Sequence, residues 1–408
     1  MSLIRPFRAL RPMQRYAADV VAPPYDVLSS AEARQRAAGR PLSFLHISKA
    51  EIDLPEDIDP YDAAVYERAA KNLQRLVASG VLIRESSACY YIYRLTMGDH
   101  VQTGLVGVAS VDAYDSNRIR KHEFTRPDKE DDRVRQIQSL HAQTGPVLLA
   151  YRSQPDIDKL IESLTLRSPE YELTADDGIG HTLWVVNEQA AIDRLTAGFD
   201  AMDALYIADG HHRSAAASRV AASMAESPDA MSRYFLSVIF PHGQMKILDY
   251  NRVVRDLHGL STEQFLARVS SEFEVLIESS AVSPDRTCEF GMYLSGNWYR
   301  LRLSSSDLPT DPVARLDVSL LADRLLEPLL GISDPRRDRR IDFVGGIRGL
   351  EELERRVDSG EMTVAFSMFP TSMDQLMAVA DAKRVMPPKS TWFEPKLADG
   401  LVSHVLDG

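Results

Sequence analysis

Apolar positions change period along the chain, and those changes mark its elements. The paired prolines of Ala22-Pro-Pro-Tyr-Asp-Val27 hold the chain extended, and Ser29 or Ser30 then opens a helix. Residues 44–47 read as a short strand, and residues 61–79 carry a helical period that stops at Gly80. Residues 88–95 and 103–111 alternate on either side of Met97-Gly-Asp-His100, the pattern of a β-hairpin. Residues 127–141 predict a charged surface helix with Pro127 at its start and acids in its first turn. Strands follow at 146–151, 181–186 and 234–240. Between the last two, the apolar run 205–208 reads as a buried strand, Asp209-Gly210 as a sharp turn, and the Ala-rich run 214–224 as a helix.

Beyond about Leu257 the pattern restarts. A helix over 261–273, strands at 290–294 and 298–303 about a turn at Asn297, a polar loop over 304–312 and a helix over 319–330 are expected. The succession is mixed and lacks a repeating βα order, which predicts an α+β fold with a mixed sheet. The expected segments are an N-terminal α+β segment (1–110), a core (111–256) and a C-terminal α+β lobe (257–408).

Composition narrows the class. At 408 residues, 44% hydrophobic and 26% charged, the chain has the make-up of a globular protein of two or three lobes. A net charge of −12 argues against nucleic acid as the main partner while leaving room for local phosphate sites. Only Cys89 and Cys288 are present, so a disulfide framework is not expected. With no secretory pattern at the N-terminus and no apolar run of about 18 residues, the expected address is cytoplasmic, without a membrane.

The richest chemistry lies in Asp209-Gly210-His211-His212-Arg213. A helix N-terminus offers unpaired N–H groups and the positive end of a dipole, and glycine lets the backbone approach an anion closely. The two histidines and Arg213 add donors at the same place. Asp-Gly before a helix is also a common cap, and adjacent histidines can simply be packed. His211 and His212 lack the i,i+4 spacing of a zinc helix, so no metal ligand is assigned.

A second cluster is Lys121-His122-Glu123-Phe124-Thr125, where a carboxylate flanked by cations can act as a general base beside a phosphate. A charge run of this kind is otherwise a solvated face. The third is Pro387-Pro-Lys389-Ser390-Thr391-Trp392, a donor set on a stiff approach, with Trp392 a packing anchor or a stacking platform. Gly345-Gly346-Ile-Arg348-Gly349 lacks P-loop spacing and reads as a tight turn, and nucleophile-elbow and protein-kinase signatures are missing.

The combination of Ala22-Pro-Pro-Tyr-Asp-Val27, Lys121-His-Glu-Phe-Thr125, Ile207-Ala-Asp-Gly-His-His-Arg213 and Met386-Pro-Pro-Lys-Ser-Thr-Trp-Phe-Glu-Pro-Lys396 resembles the DUF1015 family of uncharacterised proteins. Its Asp-Gly-His-His-Arg junction is also similar to the nucleotide-phosphate motif of the ParB/sulfiredoxin superfamily, which includes CTP-binding partition proteins, sulfiredoxins and nucleotide-dependent free-serine kinases. That resemblance implies a nucleotide-binding core. It places Gly210, His211, His212 and Arg213 on nucleotide phosphates and Glu123 as the catalytic carboxylate, although about 85 residues separate Glu123 from Asp209. His211 stands where sulfiredoxins carry their reactive cysteine, which disfavours sulfinic-acid repair.

The expected activity is a nucleotide-dependent phosphotransferase acting on a small hydroxylated metabolite, with free serine the candidate on resemblance alone. Glu123, His122 and Asp209 are the expected catalytic residues. Gly210, His211, His212, Arg213, Lys121, Thr125 and Lys389 are the expected phosphate ligands, serving ATP, ADP or CTP with Mg2+. The alternative is a nucleotide-responsive regulatory or binding protein that transfers nothing. The expected partners are the nucleotide and a small acceptor, and homo-oligomers are compatible with either reading.

Overall fold

The computed structural model describes residues 2–224, 230–304 and 308–406. They form two compact units, Met1–Met245 with Pro395–Gly408, and Lys246–Glu394. Three positions of the expected loop at 304–312, residues 305–307, lie outside the described residues.

The first unit is built on a nine-stranded mixed sheet. Its strands are β1 (Ile4–Arg5), β2 (Tyr90–Met97), β3 (His100–Ser110), β4 (Ile119–Arg120), β5 (Val147–Tyr151), β6 (Tyr171–Thr174), β7 (Gly180–Val186), β8 (Leu205–Asp209) and β9 (Tyr234–Pro241). Their order is β4-β8-β5-β9-β3-β2-β7-β6, with β1 added antiparallel to β3. Two pairings are parallel, β8 with β4 and β9 with β5. Strand β9 sits centrally and is buried at every position, as its apolar run, broken only by Ser237, requires of a strand covered on both faces.

The longer helices of this unit are α1 (Ser30–Ala37), α2 (Ala63–Ala78), α3 (Pro127–Leu140), α4 (Pro155–Leu164), α5 (Gln189–Asp200) and α6 (His211–Met224), of which α4, α5 and α6 pack on the sheet. From α4 and α5, Ile157, Leu160, Leu195 and Phe199 join Ile92, Leu149 and Tyr151 of the sheet in one apolar cluster. The alanines of α6 let it pack on two sides at once. Ala215, Ala217 and Ala221 face that cluster, while Ala216 and Val220 meet Ile137 of α3. Ion pairs from Arg219 to Glu130 and Asp131 join α6 to α3 at the surface.

Two expectations are corrected. Residues 44–47 are no strand; Leu45–Ser48 is a helical turn, because Phe44, Leu45 and Ile47 must all enter one cluster with Val20 and Leu140, which an alternating strand cannot do. The helix after Gly210 begins at His211, three residues earlier than its alanine content indicates. Strands on both sides of residue 110 pair within one sheet.

The second unit carries a six-stranded antiparallel sheet of β10 (Tyr250–Val254), β11 (Glu274–Glu278), β12 (Glu289–Leu294), β13 (Asn297–Arg302), β14 (Ile341–Gly345) and β15 (Val364–Met368), in the order β11-β13-β12-β15-β10-β14. The β12–β13 hairpin turns at Ser295-Gly296, both at positive φ, just before Asn297. Among the described residues no helix is long and apolar enough to cross a membrane.

Three stretches distant in sequence are tied together inside the first unit. The C-terminal segment pairs Asp399 with Ala22, Ser403 with Leu10, and His404–Val405 with Ala142–Gln143. Beneath it lies the Arg213 guanidinium, which donates to the Pro146 carbonyl and faces Asp26 at 3.5 Å and Asp209 at 3.7 Å. A cavity of about 30 Å3 lined by Tyr25, Arg133, Thr144, Arg213 and Asp399 adjoins it. Burial pulls the Arg213 pKa down, but Asp26 and Asp209 outweigh it and the net shift is upward. Asp399 is 1% exposed, and its Oδ1 has no hydrogen-bond partner among the described residues. Burial pushes its carboxyl up to about 7, against the pull of Arg213.

A carboxyl whose folded pKa lies above its unfolded value of 3.8 favours folding while protonated. Its contribution is full below about pH 4, falls as pH rises toward 7 and is flat beyond, with a ceiling of about 4 kcal/mol. Asp399→Asn is expected to flatten the pH dependence of the melting temperature across that window, as read by calorimetry at several pH values. Unchanged dependence would show that Asp399 is ionised throughout. A Cβ on Gly104 would lie 2.8 Å from the Ile239 carbonyl oxygen, so Gly104→Ala is expected to cost about 1–3 kcal/mol in denaturant unfolding.

Candidate functional site

Parallel pairing of β4 with β8 brings the two central clusters together. Ile119 is opposite Leu205 and Arg120 opposite Tyr206, so the chain leaving β4 at Lys121 runs beside the end of β8. The register of β8 shifts between Ile207 and Asp209, a bulge that re-aims the strand end where it meets Gly210. Gly210 has φ +97°, and a Cβ there would crowd Arg213 Nε at 3.1 Å and Val147 Cα at 3.3 Å. Helix α6 then starts, and Ser214 is the first residue whose N–H reaches an intrahelical carbonyl, that of Gly210 at 3.0 Å. By helix geometry the preceding N–H groups have no intrahelical acceptor, which is the anion-binding end of a helix.

His122, Glu123 and His211 meet at this end, with one donor atom from each lying within 4.8 Å of the others. The His122 and His211 rings pack edge to face with centroids 4.5 Å apart, and the His122 backbone N–H points at His211 Nε2 over 3.4 Å. His211 Nδ1 faces Glu123 Oε2 at 3.9 Å. Burial pushes the His122 imidazole down to about 4, opposed by the Ile207 carbonyl and Asp209. His211 is likewise driven well below its ordinary value, by burial first and then by the neighbouring His122. Both rings are therefore neutral near pH 7, and neither acts as a cation.

Charge at the site comes from elsewhere. Lys396 Nζ lies 3.1 Å from Asp209 Oδ2, and with Arg213 it keeps that carboxylate well below the usual range although burial alone would raise it. Lys396, Asp209, Asp26, Pro24 and Arg213 line one small cleft. Lys396 closes the Met386–Lys396 motif, in which Lys389, beside Ser390 and Thr391, is the lysine the sequence points to. Asp26 follows the paired prolines of the Ala22–Val27 motif, where the sequence points to an extended backbone and not to a carboxylate.

The remaining expected ligands are placed as follows. His212 Nε2 accepts from the Arg126 N–H at 3.0 Å and so holds the entry to α3. Thr125 Oγ1 donates to Glu130 in the first turn of that helix. Lys121 Nζ rests 3.7 Å from the centre of the Tyr114 ring, where burial lowers its pKa. Glu123 is half exposed, and beside it Phe124 is 71% exposed. Lys389 belongs to the second unit, where its ammonium lies 5.4 Å from the Tyr250 ring centre and its carbonyl accepts from Arg252. Trp392 packs edge to face on Tyr250 in that unit.

A family model described as a protein of unknown function (DUF1015) matches residues 4–319. No curated protein matches the sequence. Similar solved structures include a free serine kinase in complex with AMP, at 14% identity and TM-score 0.35, covering 70% of this chain and 86% of that one. A conserved hypothetical protein from Pyrococcus furiosus has 15% identity and TM-score 0.35, covering 72% and 93%. SbnI with a C-terminal truncation, from Staphylococcus aureus, has 11% identity and TM-score 0.37, covering 71% and 82%. With the family model spanning well over half of its length, the chain belongs to the DUF1015 family.

Proposed function

We propose that the first unit is a nucleotide-dependent phosphotransferase acting on a small hydroxylated metabolite. The observation that carries this reading is the half-exposed Glu123 carboxylate beside the N-terminus of α6, with the Lys396–Asp209 pair at the same strand end. Terminal phosphates of ATP, ADP or CTP would lie on the free N–H groups of His211, His212 and Arg213, with Gly210 allowing close approach. Glu123 would accept the proton of the acceptor hydroxyl as that oxygen attacks the terminal phosphorus. The bond from phosphorus to the leaving nucleotide oxygen breaks, and the charge left there falls to the helix dipole and Lys396. Mg2+, which prefers oxygen donors, would accompany the phosphates and neutralise part of their charge.

Asp209 serves this reading by holding Lys396 at the strand end, and His211 by standing next to Glu123. Arg213 is spent on Pro146, Asp26 and Asp209, so its part is to fix the turn, while its backbone N–H remains available. Free serine as acceptor rests on the resemblance of the Asp209–Arg213 motif.

The test is a transfer screen with ATP, ADP and CTP against free amino acids and other small alcohols. Glu123→Gln is expected to lower turnover by about 10²–10⁴-fold while nucleotide affinity holds; unchanged turnover would sink the catalytic assignment. Lys396→Met is expected to weaken nucleotide binding about tenfold, the equivalent of roughly 1.4 kcal/mol, by calorimetry. Tight nucleotide binding with no product from any acceptor would favour the non-catalytic alternative.

A further inference from the structure

His122 poses a problem that phosphate binding does not solve. It is 2% exposed, and neither ring nitrogen has a hydrogen-bond partner of good geometry among the described residues. Leaving a buried imidazole unsatisfied costs about 1–3 kcal/mol. The ring is held on one side by the edge-to-face contact with His211, and it presents a nitrogen to the same small space that His211 and Glu123 line.

We infer that His122, Glu123 and His211 form a binding site for one divalent first-row transition-metal ion. Two imidazoles and one carboxylate suit Zn2+, Mn2+, Fe2+ or Co2+, whereas Mg2+ prefers an all-oxygen shell. Metal–ligand bonds of about 2.1 Å allow two donors of one ion to lie at most about 4.2 Å apart. The trio, within 4.8 Å, closes by up to roughly 1.4 Å to reach a tetrahedral spacing of about 3.4 Å. Glu123 can supply that movement because it is half exposed and follows a two-residue strand end. His211 Nδ1 already faces Glu123, and coordination there puts the proton of the ring on Nε2. The cost is the 3.4 Å contact from the His122 N–H, a long and weak bond.

Three protein ligands leave coordination positions open, as in sites that bind a water or a substrate oxygen. His211 is the first residue of α6, so an ion on its ring would lie at the same helix end and could act on the same anionic ligand. A carboxylate bound through one oxygen keeps its second for a proton, and the site is thus compatible with the phosphotransfer reading. It does not depend on that reading, because the ligands are complete without a nucleotide.

The test uses the full chain stripped with a chelator and contains no nucleotide. Co2+ is titrated while its visible d–d bands are followed, and Zn2+, Mn2+ and Mg2+ are titrated by calorimetry. About one Co2+ or Zn2+ per chain is expected, at an affinity at least about tenfold above that for Mg2+. Glu123→Gln and His211→Gln are each expected to weaken uptake on the order of 10–100-fold, since even second-shell changes cost that much. His100→Gln, remote from the site, should leave uptake unchanged. If His211→Gln fails to fold, the half-exposed Glu123 variant decides alone. Absence of stoichiometric Co2+ and Zn2+ uptake by the native chain would overturn the inference, as would equal uptake by native and Glu123→Gln chains. Transfer activity does not enter, so this result and the phosphotransfer test fail independently.

Discussion

Arginine cannot shed its charge, so burying the Arg213 guanidinium obliges the chain to bring acceptors to it. They come from Asp26 at the Pro-rich start, Asp209 at the end of β8 and the Pro146 carbonyl before β5. Asp399 on the C-terminal return completes the surroundings as a buried carboxyl. Removing any one acceptor leaves a charge partly unpaired in a site that water reaches poorly, which is costlier than losing a surface ion pair. This requirement explains why the first and last segments of the chain close on the same unit. It also fixes Asp209, and Asp209 in turn fixes Lys396.

The regular elements were legible where one interaction dominates. The period-2 pattern about Met97-Gly-Asp-His100 folds as the β2–β3 hairpin, with Met97 opposite His100. The cap at Ser29 is a full capping box with Glu32. Legibility failed where tertiary packing overrides local pattern. Residues 44–47 have strand-like composition, but their three large side chains are needed in one cluster and the chain coils to deliver them. The start of α6 was hidden for a related reason: His-His-Arg is a poor helix opening on propensity alone, and tertiary contacts at Glu123, Arg126 and Pro146 hold it there.

For the site, residue types were more legible than their roles. Glu123 and His211 meet although 87 positions intervene, because a parallel strand pair runs between them. Nothing in a single sequence announces that pairing, since β4 is only two residues long. Roles changed because burial decides protonation. Two histidines and an arginine look like three cations on paper; in the fold the His211 imidazole is neutral and the guanidinium is committed to carboxylates. The sequence offers His122 as a catalytic residue beside Glu123, whereas its unsatisfied ring nitrogens are what support a metal-ligand role.

On the proposed reading, a phosphate at α6 would therefore meet few formal charges. It would find a helix dipole, backbone N–H groups and a lysine already paired with Asp209. Dipoles fixed by the fold need no reorganisation when charge develops on a leaving oxygen, whereas a free lysine side chain must be ordered first. Asp209 orders Lys396 in advance, at the expense of part of its attraction for an anion. A divalent ion held by His122, Glu123 and His211 would restore that lost attraction without adding a flexible cation. The neutral imidazoles are what such an ion requires, since a protonated ring has no lone pair to give. Burial that makes the histidines poor phosphate ligands thus makes them good metal ligands, and the two properties follow from the same packing of His122 on His211.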